Sequence, residues 1–226
     1  MNPNEINTSS GYASGVKKYS LKFGVLFLVA LVADVGYAED TLSALMQRMK
    51  SDKAVRIAYR ETRTLELMEQ PWRGSGYMYS LPPDIMIKEQ LQPERVLMGV
   101  KGNQMLYFDS ANDVRHQGEM DQDNPLSLNI AIFKALINAD EALLHRLYRV
   151  EFSTQTKKGW VMTLKPKQDG EAGFSIVISG LAQKQADTIK VRQADGDFSE
   201  FSMQQAATGD EIESTVNRLY RELLGE

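Results

Sequence analysis

The fold is decided by residues 76–109, which read GYMYSLPPDIMIKEQLQPERVLMGVKGNQMLYFD. Short runs of alternating apolar and polar side chains are separated by proline and glycine, a pattern typical of half-buried strands joined by turns. Lys101-Gly102-Asn103 predicts a hairpin turn, because glycine and asparagine accept the positive φ that such turns require. The stretch therefore predicts antiparallel strands connected by hairpins.

The residues before this stretch predict a helix followed by a long strand. Apolar side chains at helical spacing follow the acidic N-cap Asp40, and they are Leu42, Leu45, Met46 and Met49. Residues 55–67 then alternate between apolar and polar side chains over much of their length, as a long half-buried strand does.

The residues after the stretch predict an exposed loop, two helices, a group of strands and a last helix. The polar and acidic residues 109–123 predict the loop, and Asn124-Pro125 is typical of the start of a helix that runs to Asn138. Asp140 predicts the start of a second helix. Further strands are predicted near residues 149–156, 159–165, 173–179, 187–193 and 198–204, and the last helix at about residues 210–224.

Hairpin-linked strands and few helices predict the α+β fold class. A sheet of this size needs cover for an apolar face, and only a small number of helices is available to provide it. We therefore expect a strongly curved antiparallel sheet, a half-open β-barrel, with helices covering its concave face.

The first residues predict export. Lys17, Lys18 and Lys22 precede the apolar run of residues 23–33, and small residues follow at Gly36 and Ala38. This order is typical of a secretory signal peptide, since the run is shorter than the roughly 20 residues of a membrane span. The prediction is a signal peptide at residues 1–38, cleaved after Ala38, and a periplasmic domain at residues 39–226; the alternative is an uncleaved anchor.

The composition excludes several classes of function. A net charge of −4 without a basic block argues against nucleic acid as a partner. The absence of cysteine excludes disulfides, thiolate metal sites and a cysteine nucleophile. Nucleophile-elbow, phosphate-loop and zinc-protease motifs are missing, so no catalytic residue, cofactor or metal ligand is predicted. The acidic residues between 109 and 123 lack the spacing of a calcium loop and are interpreted as solvated.

Residues 76–109 resemble the periplasmic outer-membrane lipoprotein carrier family, the LolA-like proteins. That family has a glycine, a strand, Arg-Pro, a second strand, Gln-Pro-Asp/Glu and an Asp-Gly hairpin before an aromatic strand. The matching residues here are Gly76, Pro82-Pro83, Gln92-Pro93-Glu94 and Lys101-Gly102. The order of elements is also similar over most of the mature chain, which is therefore predicted to be a diverged member.

The resemblance implies a carrier or chaperone that buries the acyl chains of a lipoprotein, or another lipid-like cargo, in an apolar cavity. Such a carrier ferries its cargo from the inner towards the outer membrane. The implied partners are this cargo, an inner-membrane transporter and an outer-membrane acceptor, and the chain is expected to be a monomer. An alternative from another class is a non-transporting envelope-stress sensor or protein-interaction module on the same fold. A hydrolase is a third and weaker hypothesis.

The chain departs from the family pattern in three places. Pro82 occupies the position of the arginine that holds the family's helical lid closed. Three large apolar positions of the next strand fall on Met86, Lys88 and Gln90, so two of them are polar here. A helix at about residues 210–224 replaces the family's C-terminal Pro-Gly segment.

Aromatic, methionine and aliphatic residues of the strands and of the helix at residues 125–138 are predicted to bind the lipid. They are Tyr59, Leu65, Tyr77, Met78, Tyr79, Ile85, Met86, Ile87, Met98, Leu106, Phe108, Leu126, Ile130 and Phe133. The alternative is an ordinary sheet core, and for the helix, permanent packing instead of a mobile lid. The strand register is also open, because local alternation places Ile85 and Ile87 inward whereas the family pattern places Met86 and Lys88 inward.

Overall fold

The structure is a computed structural model that describes residues 41–65, 68–120, 131–136, 138–155, 159–167, 174–182, 184–193 and 196–226. In chain order, the helices and strands with defined bounds are α1 (Leu42–Met49), β1 (Val55–Thr64), β2 (Trp72–Leu81), β3 (Ile85–Gln92), β4 (Val96–Lys101), β5 (Gln104–Asp109), β6 (Val114–Glu119), α2 (Glu141–Leu147), β7 (Tyr148–Gln155), β8 (Gly159–Pro166), β9 (Ser175–Gly180), β10 (Thr188–Arg192), β11 (Phe198–Thr208) and α3 (Asp210–Leu224). Residues 131–136 are also helical.

The strands form one antiparallel sheet in the order β6-β5-β4-β3-β2-β1-β11-β10-β9-β8-β7. Neighbours in sequence pair throughout β1–β6 and throughout β7–β11, and the pairing of β1 with β11 joins these two halves. The sheet stays open, because β6 and β7 lie at its opposite ends. An α+β fold built on a curved, open antiparallel sheet is thereby confirmed.

The strand register divides the side chains between two faces of the sheet. Partners in antiparallel strands project to the same side, and successive residues of a strand alternate. We define the front face as the one that carries Tyr59, and the back face as the one that carries Tyr79. Met78, Lys88 and Met98 are consecutive cross-strand partners on the front face.

The front face of β1 and β7–β11 is covered by α1, by residues 131–136 and by α2. Each of these helical segments contributes buried apolar side chains to the same core, for example Leu45, Ile132 and Leu144. The strands contribute Tyr59, Tyr148, Trp160, Met162, Leu164, Ile176, Ile178, Ile189 and Phe201. The prediction that helices cover one face of the sheet is therefore confirmed for these segments.

The back face carries a second core, which is covered by α3. The helix buries Ile212, Val216, Leu219 and Leu223 at helical spacing. These side chains share a cluster with strand residues of β2–β5, namely Tyr79, Ile85, Ile87, Leu97, Leu106 and Phe108. The sheet is thus covered on both faces by different helices, which explains why residues 85–90 of β3 are all buried or half-buried.

Two local predictions were wrong. The first helix is capped by Thr41, whose Oγ1 accepts a hydrogen bond from the Ala44 amide at 3.1 Å, and not by Asp40. Residues 109–123 are not a continuous loop, because Val114–Glu119 pairs with β5 as an edge strand. All of its side chains are exposed, so its sequence lacks the alternation of apolar and polar residues by which a half-buried strand is predicted.

Candidate functional site

The residues predicted to bind lipid are divided between the two faces. On the front face lie Tyr59, Met78, Met86 and Met98, and Phe133 packs against the front core. On the back face, in or against the core beneath α3, lie Tyr77, Tyr79, Ile85, Ile87, Leu106 and Phe108. Leu65 follows the end of β1, and Leu126 and Ile130 lie outside the described residues.

One cavity cannot be lined by both groups, because the sheet separates them. The sequence left open which residues of β3 point inward, and the structure shows that both sets face a covered side of the sheet. Ile85 and Ile87 face α3, whereas Met86 and Lys88 lie on the front face. Six of the residues predicted to bind lipid therefore belong instead to the back-face core, which α3 completes. The candidate site is the front face of β2–β5.

Four methionines occupy the front face of four neighbouring strands. Met78 of β2, Met86 of β3, Met98 of β4 and Met105 of β5 form what we call the methionine surface. Met98 is 38% exposed and the other three are half-buried. Tyr107 continues the row beside Met98. Unbranched thioethers change rotamer at low cost, so this surface can adapt to an apolar ligand of variable shape.

A charge cluster of Glu61, Arg63 and Lys88 lies beside the methionine surface. Lys88 Nζ is 2.6 Å from Glu61 Oε2, and Arg63 Nε is 2.5 Å from Glu61 Oε1. The Glu61 side chain is 1% exposed, compared with 19% for Lys88 and 37% for Arg63. One buried carboxylate is thus shared by two cations, which leaves the cluster with a net charge of +1.

The contact between Glu61 and Lys88 crosses β2, which lies between their strands. The front-face positions of β2 that pair with Glu61 and Tyr59 are Gly74 and Gly76. Since glycine has no side chain, the lysine stem can pass over β2 to the carboxylate. A Cβ at Gly76 would stand 1.9 Å from the carbonyl oxygen of Glu89, so the backbones are too close there for any other residue.

Aromatic rings and burial set the electrostatics of the cluster. Lys88 Nζ lies 5.0 Å from the centre of the Tyr59 ring and 5.2 Å from that of Phe201, within the range of cation–π attraction. Arg63 lies 4.6 Å from the centre of the Trp72 ring. Burial lowers the pKa of Lys88, and the charge and hydrogen bond of Glu61 oppose this effect.

Two buried tyrosine hydroxyls in the front core have no hydrogen-bond partner among the described residues. They belong to Tyr59 and Tyr148, which are 2% and 0% exposed. Burial raises the pKa of Tyr148 to about 12, and burial followed by the negative charge of Glu61 raises the pKa of Tyr59. A buried donor without a partner costs about 1–3 kcal/mol, so these groups are either a local weakness or positions where a ligand supplies the partner.

A second ionic network ties α3 to the back face. Arg95 Nη2 is 2.9 Å from Glu89 Oε1, and Arg95 Nη1 is 2.5 Å from Glu222 Oε1. The Tyr79 hydroxyl donates to Glu89 Oε2 at 3.1 Å. All of these groups lie under or beside α3, on the face opposite to the methionine surface. The network therefore anchors the helix and does not belong to the candidate site.

The helical residues 131–136 are attached to two turns of the sheet. The Lys134 ammonium donates to the carbonyl oxygen of Gly102, and Asn138 Nδ2 donates to the carbonyl oxygen of Pro83 at 3.5 Å. Pro83 directly follows Pro82, the position of the family's lid arginine. Polar contacts to backbone carbonyls thus connect this part of the chain to the turns that follow β2 and β4.

The cavities resolved among the described residues are small. One of about 10 Å³, room for about one water molecule, lies between residues 80–86 and the Lys134–Asn138 contact. Another of about 220 Å³ lies beside Trp160 and Gly180, away from the methionine surface.

Sequence reasoning missed the charge cluster as a unit. The family pattern identifies Lys88 as a polar residue at an apolar position. Glu61 and Arg63 are predicted only as polar positions of a long strand. The available signal was their spacing: Tyr59, Glu61 and Arg63 share one face of β1, so charged residues continue the row of a buried aromatic. Within the described residues, no group of acidic and histidine side chains could hold a metal ion, and no helix is long and apolar enough to span a membrane.

Solved structures align with this chain at low similarity, and one of them is that of a LolA superfamily protein. The LolA superfamily protein NE2245 from Nitrosomonas europaea aligns with 8% identity and a TM-score of 0.40, over 76% of this chain and 94% of its own. An outer membrane lipoprotein-sorting protein domain from Vibrio parahaemolyticus aligns with 8% identity and a TM-score of 0.39, over 75% and 91%.

A DUF1329 family protein from Desulfovibrio piger aligns with 9% identity and a TM-score of 0.42, over 75% of this chain and 91% of its own. No protein-family model and no curated protein sequence matches the chain. At such identities no residue role can be transferred to this chain, so its function must be inferred from its own side chains.

Proposed function

We propose that this protein is a carrier that holds the acyl chains of a lipidated protein, or a similar apolar cargo, on the front face of β2–β5. The observation that carries this proposal is the methionine surface, because four flexible thioethers lie on the front face of four neighbouring strands and Met98 is 38% exposed. Burying each CH₂ of a chain gains about 0.8 kcal/mol, so even partial cover of an acyl chain supports binding.

The helical residues 131–136 act as the lid of this site. They contribute Ile132, Ala135 and Leu136 to the front core, and Lys134 within the segment and Asn138 just after it make polar contacts to the sheet. Cargo enters when this segment leaves the sheet, and closure of the segment favours release. Reversible binding follows, because the apolar contacts of the lid compete with those of the cargo.

The proposed setting is the periplasm. Residues 1–38 direct export and are removed, and residues 39–226 carry cargo from an inner-membrane transporter to an outer-membrane acceptor. The apolar run at residues 23–33 and the small residues before Glu39 support this proposal. A mature N-terminus other than Glu39, found by sequencing the exported protein, would contradict the assigned cleavage site.

Native mass spectrometry with lipid extraction tests the carrier function. The full chain is expressed, the exported protein is purified from the periplasm without detergent, and bound molecules are identified. We expect a stoichiometric acylated species, or uptake of a fluorescent fatty acid by the empty protein. A protein that is empty and takes up no probe would contradict the proposal and favour a sensor or protein-interaction module on the same fold.

A further inference from the structure

We propose that the charge cluster of Glu61, Arg63 and Lys88 binds the anionic head of an amphiphilic cargo whose chain lies on the methionine surface. This inference rests on the proposed carrier function and adds to it the chemical class of the cargo. The shared chemistry is a carboxylate or phosphate attached to a hydrocarbon chain.

The charge balance of the cluster is the first argument. Glu61 is the one anion of these three side chains, and it accepts hydrogen bonds from both Lys88 and Arg63. The remaining positive charge is held where burial disfavours it, since the Lys88 side chain is 19% exposed. An anion from the cargo would complete the pairing of both cations.

The position of Lys88 is the second argument. Its cross-strand partners on the front face are Met78 on one side and Met98 on the other, so the ammonium stem leaves from the middle of the methionine surface. A hydrocarbon chain on these methionines therefore has a cation within reach of its end. The partly exposed sides of Lys88 and Arg63 give an anionic head access to the cluster.

The Tyr59 hydroxyl is a third and independent observation. The Tyr59 ring lies against the Lys88 ammonium, the residue is 2% exposed, and its hydroxyl has no hydrogen-bond partner in the part of the chain that the structure describes. A polar group that is buried without a partner is costly, and an oxygen of the anionic head would accept a hydrogen bond from this hydroxyl. The unpartnered donor and the excess cation lie in the same part of the front face.

The test compares amphiphiles that have the same chain and different heads. Dodecanoate, dodecyl phosphate and dodecanol compete with a fluorescent fatty acid for the exported protein at neutral pH. A charge-assisted hydrogen bond is stronger than a neutral one, so we expect at least one of the two anions to bind about tenfold or more tightly than the alcohol. The preferred anion distinguishes a carboxylate cargo from a phosphate cargo.

Variants assign the preference to the cluster. Lys88→Met leaves Glu61 paired with Arg63 and brings the cluster to zero net charge, so the preference is expected to disappear, whereas Lys88→Arg is expected to retain it. Lys165→Met is the matched control, because Lys165 forms an exposed cross-strand pair with Glu151 at 2.9 Å. This control is expected to bind like the wild type. Far-UV circular dichroism checks folding, and Arg63→Met replaces Lys88→Met if the latter unfolds.

The possible binding results distinguish failure of this inference from failure of the carrier function. Equal binding of both anions and the alcohol by the wild type would overturn the inference and leave the carrier function standing. Binding of none of the amphiphiles would overturn the carrier function itself. An anion preference that survives in folded Lys88→Met and in Arg63→Met, or that is lost in Lys165→Met, would also overturn the assignment to this cluster.

Discussion

Two hydrogen bonds of 2.5 and 3.0 Å join Arg95, in the turn before β4, to Glu222, in the last turns of α3. These two residues lie 127 positions apart in the sequence. The same guanidinium donates twice to Glu89, which is 8% exposed. A single side chain thus links the C-terminal helix to the sheet and neutralises a buried carboxylate.

Replacing Arg95 with methionine is expected to lower the free energy of unfolding by about 2 kcal/mol. The loss follows because Glu89 would remain buried without its cation. Urea unfolding followed by circular dichroism measures the change. The control is Arg218→Met, which removes an exposed contact to the same Glu222 at 3.9 Å and is expected to cost less than about 0.5 kcal/mol. Equal losses for both variants would contradict the role assigned to Arg95.

The stability contributed by Glu222 is expected to depend on pH. The hydrogen bond from Arg95 is the main cause of a lowered pKa of Glu222 in the folded state. The unfolded state therefore binds the proton more readily, so this contribution is complete above about pH 5 and is lost as the pH falls through the folded pKa. Urea unfolding at several pH values between about 7 and 3 measures it. Glu222→Gln is expected to show a weaker dependence than the wild type.

Alanine at position 76 is expected to destabilise the sheet by about 2 kcal/mol or more. Its Cβ would lie 1.9 Å from the Glu89 carbonyl oxygen, and relief requires β2 and β3 to separate locally. Gly118→Ala in β6 is the matched control, since nothing lies within 4 Å of the added carbon there. A thermal unfolding midpoint that is the same for both variants would refute the close approach of β2 and β3.

Removing the Tyr148 hydroxyl is expected to leave the protein as stable as the wild type or to stabilise it by up to about 1 kcal/mol. The hydroxyl is buried without a partner, so Tyr148→Phe relieves a desolvation cost and keeps the packing of the ring. Urea unfolding tests this expectation. A loss of more than about 1 kcal/mol would mean that the hydroxyl makes a stabilising interaction in solution.

A carboxylate at position 98 is expected to weaken uptake of a fluorescent fatty acid about tenfold, because it would place a negative charge in the methionine surface beside the proposed head site. Met98 is 38% exposed, so folding is expected to tolerate Met98→Glu. Leu181→Glu is the control, at an exposed leucine after β9. Similar uptake by both variants would remove the methionine surface as the binding site.

The strands, turns and final helix could be predicted because each leaves a local pattern in the sequence. The hairpin at Gly102, for example, has the positive φ of 58° that the Lys-Gly-Asn turn predicts. The face to which each residue points was harder to predict. In β3, for example, the sequence Ile85, Met86, Ile87 and Lys88 has no clear polar side. Such a pattern arises when both faces are covered, and local periodicity does not identify the covering helix.

The charge cluster could not be predicted, because it depends on the spacing of strands that are distant in sequence. Glu61 and Lys88 meet across β2 because the register places Gly76, which has no side chain, on the front face between them. Residues 66–67 and 121–130, which include two predicted lipid-binding residues, lie outside the described part of the chain.

The pairing of β1 with β11 has a consequence for how the chain is made. These strands meet in the middle of the sheet, although residues 55–64 are synthesised long before residues 198–208. Until β11 emerges, both β1 and β10 present open backbone edges that can pair with other chains. A nascent or truncated chain that ends before Phe198 therefore needs a chaperone to stay monomeric, and we expect such fragments to aggregate instead of persisting as half-sheets.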